Sequence, residues 1–286
     1  MGRLEGKVAV ITGASSGYGR TMARMFAREG AKIACFDITT QVGVGFEEDD
    51  DYQDPTHIAV RKQGGEAIFV PCDVSDPEQV KAAFEKVDEA FGGVDVLVNN
   101  AGIWNSGVPI DEQNGTFLRK ALDVNVMGSY YCAQQALKRM KVRGKGRVIQ
   151  MASTASFLAT AFESNYDITK GAVIMLMKSI AAEYARYQIT SNAICPAYGL
   201  TPMGARLASN PVYNNAICSS VPLGKWVHPK DVGYYAIFFA SDESGHVTGT
   251  SAVIDGGQAA CGSGHAVNMQ GLFASAGLDD YYRTIH

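Results

Sequence analysis

The sequence predicts an α/β fold, a doubly wound parallel sheet of seven strands with helices on both faces, in a single domain of 286 residues. Three observations predict it. Short apolar runs alternate with longer segments of helical periodicity, as expected for a parallel sheet covered on both sides. The first apolar run leads straight into a glycine-rich turn and a helix. No linker divides the chain, so the strands are assigned to one sheet.

The run 7–12, K-V-A-V-I-T, reads as a buried strand. It is followed by Gly13, Ala14, Ser15, Ser16, Gly17, Tyr18 and Gly19, and by a helical pattern through Met22, Met25 and Phe26. A strand, a glycine turn and a helix in that order make a phosphate cradle. The glycines let the backbone approach a pyrophosphate, whose charge meets the orphan N–H groups and positive dipole end of the helix. Gly30 ends the helix, and 31–37 is a second strand closing on Asp37. An acid roughly 20 residues past the glycines bonds a ribose diol and repels a 2′-phosphate, which favours NAD over NADP. The segment 39–54 carries the acidic run 47–51, E-E-D-D-D. It is read as a solvated loop whose field also disfavours a phosphorylated ribose.

Further strand and helix units follow. Residues 66–71 form a strand leading to Cys72, Asp73 and Val74, and 77–91 an amphipathic helix with Pro77 at its start. A strand at 94–98 runs into Asn99, Asn100, Ala101 and Gly102. Residues 114–140 read as one long helix or two in succession, carrying Asn125. Strands at 145–151, 189–195 and 250–254 and helices at 165–187 and 229–240 complete the pattern.

Tyr166 and Lys170 stand four residues apart in the 165–187 helix and so share one face. An ammonium beside a phenol favours the phenolate, and such a pair can take a proton from an alcohol or return one to a carbonyl oxygen. Ser153, at the end of the 145–151 strand, can hold the same oxygen by a hydrogen bond. Taken alone, Y-x-x-x-K is a weak signal; its weight comes from the rest of the chain.

Composition excludes other classes. With 47% hydrophobic and 19% charged residues and a net charge of −4, the chain has an ordinary globular make-up and no basic footprint for nucleic acid. No apolar run is long enough to span a bilayer and no leader precedes Gly6, so a cytoplasmic location is expected. The six cysteines lack C-x-x-C spacing and the five histidines are scattered; free thiols and no metal are expected.

The ensemble resembles the short-chain dehydrogenase/reductase family over roughly 4–257. T-G-x-x-x-G-x-G stands as Thr12, Gly13, Gly17 and Gly19, D-V as Asp73 and Val74, and N-N-A-G as Asn99, Asn100, Ala101 and Gly102. The helix asparagine is Asn125, and Ser153 lies thirteen residues before Tyr166 of Y-x-x-x-K. The resemblance implies a Rossmann-type sheet with strand order 3-2-1-4-5-6-7 and a catalytic tetrad of Asn125, Ser153, Tyr166 and Lys170. Ser153 would orient the substrate oxygen, Tyr166 exchange its proton, Lys170 lower the tyrosine pKa and bond the nicotinamide ribose, and Asn125 hold a relay water. Cofactor contacts are implied at Gly13, Ser15, Ser16, Gly17, Tyr18, Gly19, Asp37, Ile38, Asp73, Val74, Asn99, Ala101, Gly102, Tyr166, Lys170, Pro196, Gly199 and Thr201. A homo-oligomer, by resemblance a tetramer, is the expected assembly.

Two features depart from the family pattern. Where P-G and a branched residue usually precede the threonine, this chain has Pro196, Ala197, Tyr198, Gly199, Leu200 and Thr201. The tail 258–286, with Met269, Leu272, Phe273, Tyr281 and Tyr282, extends past the usual end and is assigned to an oligomer contact or an active-site cap. Nearness to the motifs nominates Trp104, Thr154, Leu158, Glu163, Tyr198, Met203 and Leu207 for the substrate. Most are apolar or aromatic, which suits a hydrophobic or cyclic secondary alcohol. Glu163 is the outlier, placed either to read a second hydroxyl or an amine, or simply as an acid in the first turn of a helix. The leading reading is an NAD-dependent dehydrogenase acting on a secondary alcohol. An NADPH-dependent carbonyl reductase and a non-catalytic NAD-binding regulator are the alternatives. The first is opposed by Asp37 and by the lack of a basic residue among Ala14, Ser15 and Ser16, the second by the intact tetrad.

Overall fold

The computed structural model describes residues 2–43, 53–105, 109–113 and 115–261. Its sheet comprises β1 (Val8–Thr12), β2 (Lys32–Asp37), β3 (Ala67–Pro71), β4 (Val96–Asn99), β5 (Gly146–Met151), β6 (Ile189–Pro196) and β7 (Ser251–Ile254). Every pairing is parallel and the order is β3-β2-β1-β4-β5-β6-β7, as the resemblance implied. The helices are α1 (Gly17–Arg28), α2 (Thr56–Lys62), α3 (Pro77–Phe91), α4 (Thr116–Ala121), α5 (Gly128–Arg143), α6 (Ser164–Tyr184), α7 (Pro202–Ala208), α8 (Pro211–Ser220) and α9 (Pro229–Ala240).

Alternation along the central strand builds two cores. Ala9 and Ile11 of β1 pack on one face with Met22 and Phe26 of α1, Val60 of α2, and Val232 and Phe239 of α9. Val8 and Val10 point to the other face, among Phe84 and Val87 of α3 and Cys132 and Met140 of α5. There Phe36 and Phe84 meet edge to face, with ring centroids 5.3 Å apart. Burying each such side chain is worth about 1.5–3 kcal/mol, which is how two cores of this kind hold both helical layers to the sheet. The strand carboxyl ends, and the loops that leave them, all lie along one edge.

Local chemistry sets the helix ends. Asp76 caps α3 by accepting from the N–H groups of Glu78 (2.9 Å) and Gln79 (3.2 Å), and Pro77 occupies the first turn, where its missing N–H costs nothing. The 114–140 stretch, expected as one long helix or two in succession, forms α4 and α5 joined by a π-helical turn at Leu122–Met127. The wider turn falls at Asn125, one of the residues nominated for the site, where such bulges are often found. The helices α2, α7 and α8 were not anticipated, because seven to ten residues give too few turns for periodicity to show. The fourth strand begins at Val96 rather than 94, because the Asp95 carboxylate takes the Val8 N–H at 3.0 Å.

All six cysteines are free; Cys35, Cys72, Cys132 and Cys195 are buried, Cys218 is half-buried and Cys261 exposed. Among the described residues there is no cluster of metal-ligating side chains, and no helix long and apolar enough to cross a membrane. The acidic run 47–51 and the tail residues Met269, Leu272, Phe273, Tyr281 and Tyr282 lie outside the described residues.

Candidate active site

The glycine turn leaves β1 at the carboxyl edge of the sheet. Gly13 has φ +62°, and a Cβ there would come within 2.9 Å of the Ala101 Cα, so only glycine fits. Thr12 Oγ1 accepts from the N–H groups of both Asn100 and Ala101 at 2.9 Å. Asn100 Nδ2 donates to the carbonyls of Thr12 (2.9 Å) and Gly13 (3.1 Å). The ends of β1 and β4 are thereby locked around the turn. Ser16 is the N-cap residue of α1 and its side chain makes no capping bond, which leaves the first N–H groups of Gly17, Tyr18 and Gly19 open to an anion.

Asp37 ends β2 beside this turn. Its Oδ2 accepts from Ser15 N at 3.0 Å and its Oδ1 from Thr39 N at 3.4 Å, which leaves acceptor capacity for a diol. The Ser15 hydroxyl donates to the Thr39 carbonyl. The chain returning from 39–54 is tied to the same place. Buried Arg20 donates through Nη1 to the Asp54 carbonyl (2.7 Å) and Thr56 Oγ1 (3.2 Å), and Thr56 Oγ1 donates to the Ala14 carbonyl (2.7 Å). A backbone cradle that excludes a Cβ, an open helix start and a carboxylate one strand away together fit a nicotinamide dinucleotide.

Several nominated cofactor contacts have structural duties. Asp73 Oδ1 accepts from the Ser75 N–H (2.9 Å) and hydroxyl (2.7 Å), and Val74 is buried in the second core. Asn99 Nδ2 donates to the Ser129 carbonyl at 2.9 Å, while its Oδ1 has no partner among the described residues. Gly102 lies against Asn125, and Ile38 is 74% exposed just past Asp37. Pro196 ends β6, and beyond it the Gly199 carbonyl accepts from Thr201 N at 2.8 Å.

The residues nominated for proton transfer converge at the ends of β5 and β6. Ser153 follows β5; its Oγ accepts from Ala155 N at 3.2 Å, donates to the Pro196 carbonyl at 3.4 Å, and lies close enough to the Tyr166 phenol to lower its pKa. Tyr166 lies in the first turn of α6, a helix held to the protein by buried Asn165, Thr169, Val173 and Met177. One turn on, Lys170 Nζ lies 5.4 Å from the Tyr166 ring centroid and donates to the Met151 carbonyl at 2.7 Å. Burial pushes the Lys170 ammonium down to about 8. The Tyr166 phenol sits above its ordinary value, through burial first, with Ser153 opposing and Glu163 and Asp167 adding to it. Burial thus sets the direction, against the lowering by Lys170 that the resemblance implied.

Asn125 serves as a clamp. Its Oδ1 accepts from Ile103 N (2.8 Å), and its Nδ2 donates to the Ile103 carbonyl and to Thr169 Oγ1 (3.0 Å each). Thr169 Oγ1 in turn donates to the Tyr166 carbonyl at 2.8 Å. Its side chain thereby joins the Ile103 segment to the helix that bears Tyr166.

Beside the phenol the structure brings together Trp104, Glu163 and Tyr198. Glu163 is half-buried; burial raises its pKa, the neighbouring Trp104 lowers it, and Asp167 raises it further. Tyr198 lies near Thr160 and meets Trp226 edge to face at 6.0 Å. Thr154 opens a short turn closed by the Leu158 N–H on its carbonyl at 3.0 Å. Met203 and Leu207 ride on α7, Met203 being 46% exposed. Sequence reasoning missed Asp167 and Thr160. Thr160 N donates to Asp167 Oδ2 at 3.1 Å, and burial raises the Asp167 pKa. The available signal was spacing: Asp167 stands one turn after Glu163.

A family model described as "Enoyl-(Acyl carrier protein) reductase" matches residues 13–259. The chain belongs to the short-chain dehydrogenase/reductase family. It is 38% identical to "Oxidoreductase UcpA" of Escherichia coli, over 90% of this chain and 96% of that one. It is 32% identical to a 2,5-dichloro-2,5-cyclohexadiene-1,4-diol dehydrogenase of Sphingobium indicum, over 90% and 98%. A gluconate 5-dehydrogenase from Burkholderia cenocepacia, solved in complex with NADP and tartrate, superposes with a TM-score of 0.81 at 32% identity, over 90% and 97% of the two chains. The protein is thus an oxidoreductase that uses a nicotinamide cofactor.

Proposed function

We propose that the protein is an NAD-dependent dehydrogenase that interconverts a neutral, cyclic secondary alcohol and its ketone. The observation that carries this reading is the convergence of the Ser153 hydroxyl, the Tyr166 phenol and Lys170, whose Nζ lies 5.4 Å from the phenol ring, beside a dinucleotide cradle. When bound, the nicotinamide supplies the hydride acceptor. Ser153 holds the substrate oxygen, and Tyr166 takes its proton in oxidation or returns it in reduction. Lys170 bonds the nicotinamide ribose and favours the phenolate as the alcohol is oxidised, and Asn125 fixes the Ile103 segment against the helix that bears Tyr166. The short spacing between Tyr166 and Lys170 opposes an enoyl reductase. NAD is preferred because Asp37 stands where a 2′-phosphate would lie; the NADP held by the similar B. cenocepacia enzyme is the competing precedent.

Charge narrows the substrate. Glu163 and Asp167 both lie close enough to Tyr166 to raise its pKa, and neither pairs with a cation among the described residues. An anionic sugar acid is disfavoured there, whereas Glu163 can accept from a second hydroxyl on a ring stacked against Trp104 and Tyr198. Thr154, Leu158, Met203 and Leu207 complete the proposed lining. The cyclic diol in the name of the S. indicum relative agrees with this chemistry. The family resemblance further implies a homotetramer, supported by Tyr234 (59% exposed) and Tyr235 (46%) on α9 beside Val253 (40%) of the edge strand β7.

The test is reduced-nicotinamide formation on cyclic diols, aromatic and aliphatic secondary alcohols and sugar acids, with NAD and NADP in parallel and Tyr166→Phe as control. Turnover of a neutral cyclic alcohol with NAD, lost in the variant, is expected. Turnover surviving in Tyr166→Phe, or confined to sugar acids or to NADP, refutes the corresponding part.

A further inference from the structure

Among the described residues, the only ones other than glycine with positive φ are Phe162, at +69°, and Gln188, at +58°. Gln188 follows a helical turn as its C-cap, where the left-handed conformation is ordinary. Phe162 ends no helix. It is the third residue of the turn 160–163, which the Glu163 N–H closes on the Thr160 carbonyl at 3.2 Å. With positive φ, that place in a turn suits glycine. A bulky side chain there is strained, and such strain persists only where the surroundings impose it.

The constraint comes from Asp167. Thr160 N donates to Asp167 Oδ2 at 3.1 Å, and the Glu163 carbonyl accepts from the N–H groups of Tyr166 (2.8 Å) and Asp167 (3.0 Å). With the turn's own bond, Asp167, Thr160 and Glu163 form a closed ring that keeps Phe162 left-handed and fixes the Glu163 backbone on both sides. Asp167 does not itself face a substrate. Its Oδ2 is engaged by the turn, and its Oδ1 is shut off from solvent with no partner among the described residues. Glu163 is differently placed. It is the N-cap residue of α6, yet its side chain makes no capping bond. Instead it lies beside Trp104 and near the phenols of Tyr166 and Tyr198, the second of which also neighbours Thr160. A helix-start side chain that leaves the cap unmade is available to the site, and the ring fixes where it starts from.

We propose that Asp167 is a positioning residue: by clasping Thr160 it keeps the strained turn closed and so aims Glu163 at a second hydroxyl of the substrate. This rests on the cyclic-alcohol reading given under Proposed function and deepens it, because preference for a diol over a mono-alcohol then depends on a residue that does not touch the substrate.

The test measures kcat and KM of the full chain, with saturating NAD, on cyclohexanediol and on cyclohexanol. Asp167→Ala is expected to raise KM for the diol roughly five- to tenfold, the effect of one misplaced hydrogen bond, with KM for cyclohexanol unchanged. Asp167→Asn keeps an acceptor oxygen for Thr160 N and is expected to restore the wild-type KM for the diol. Both variants remove the charge, so whatever that does to the Tyr166 phenol is shared, and only the clasp separates them. Glycine adopts the left-handed conformation without strain, so Phe162→Gly added to Asp167→Ala is expected to recover most of the lost diol affinity. An unchanged diol KM in Asp167→Ala, an equal rise for both alcohols, or no recovery with Phe162→Gly overturns the proposal alone. Wild-type protein that oxidises neither alcohol overturns it together with the cyclic-alcohol reading.

Discussion

Replacing Lys170 by methionine is expected to remove activity and, at neutral pH, to leave the cofactor-free protein about as stable as before. The ammonium is buried, and its pKa falls from 10.5 to about 8. That gap corresponds to about 3 kcal/mol, the penalty the folded state carries for keeping the charge out of water. A lysine depressed in this way binds fewer protons folded than unfolded between roughly pH 8 and 10.5. Wild-type stability therefore rises with pH through that window, and below it the penalty is fully present. Methionine escapes the penalty but leaves the Met151 carbonyl, now bonded to Nζ at 2.7 Å, without its donor, a loss of about 1–3 kcal/mol that does not depend on pH. The two terms nearly cancel at about pH 7, and near pH 10.5 only the second remains. Urea unfolding of both proteins without cofactor, at several pH values across this range, measures the difference. Wild type should gain on the variant by about 3 kcal/mol toward high pH. Parallel stability curves would refute the claim that the ammonium is held desolvated.

Two other changes test separate parts of the site. Asp37→Ser should shift the ratio of NADP to NAD affinity by roughly tenfold or more toward NADP, read by fluorescence titration, since it removes a charge from beside the 2′ position; an unchanged ratio would detach Asp37 from the ribose. Asn125→Ala removes the bonds to Ile103 and Thr169 and should cost about 2–4 kcal/mol in denaturant unfolding together with most of the activity, whereas a loss of activity at unchanged stability would refute the scaffolding role.

The parts legible in the sequence are those dictated by backbone geometry or by fixed spacing within one element. Gly13 could be read because its left-handed φ and its contact with Ala101 admit no other residue. Tyr166 and Lys170 could be read because one helix carries both. The seven strands were visible as apolar runs, and Pro77 and Pro229 marked the starts of α3 and α9. What stayed hidden depends on tertiary surroundings. The upward shift of the Tyr166 phenol is a matter of burial, which no spacing encodes. Asp167 gains its neighbour Thr160 only through the fold. Tyr18 and Gly199, far apart in the chain, meet so closely that a Cβ at 199 would fall on the phenol, and neither announces the other.

The bonds that tie both ends of the 39–54 segment to the glycine turn have a consequence for redesign. Ser15 and Asp37 hold its departure, while Arg20 and Thr56 hold its return on Asp54 and Ala14. With departure and return both anchored on the turn, doubling the length of chain between those anchors costs only about 0.6 kcal/mol in closure entropy. A cassette of another length or charge exchanged there is expected to change the field at the ribose end while the anchors at Ser15, Asp37, Thr56 and Ala14 stay in place.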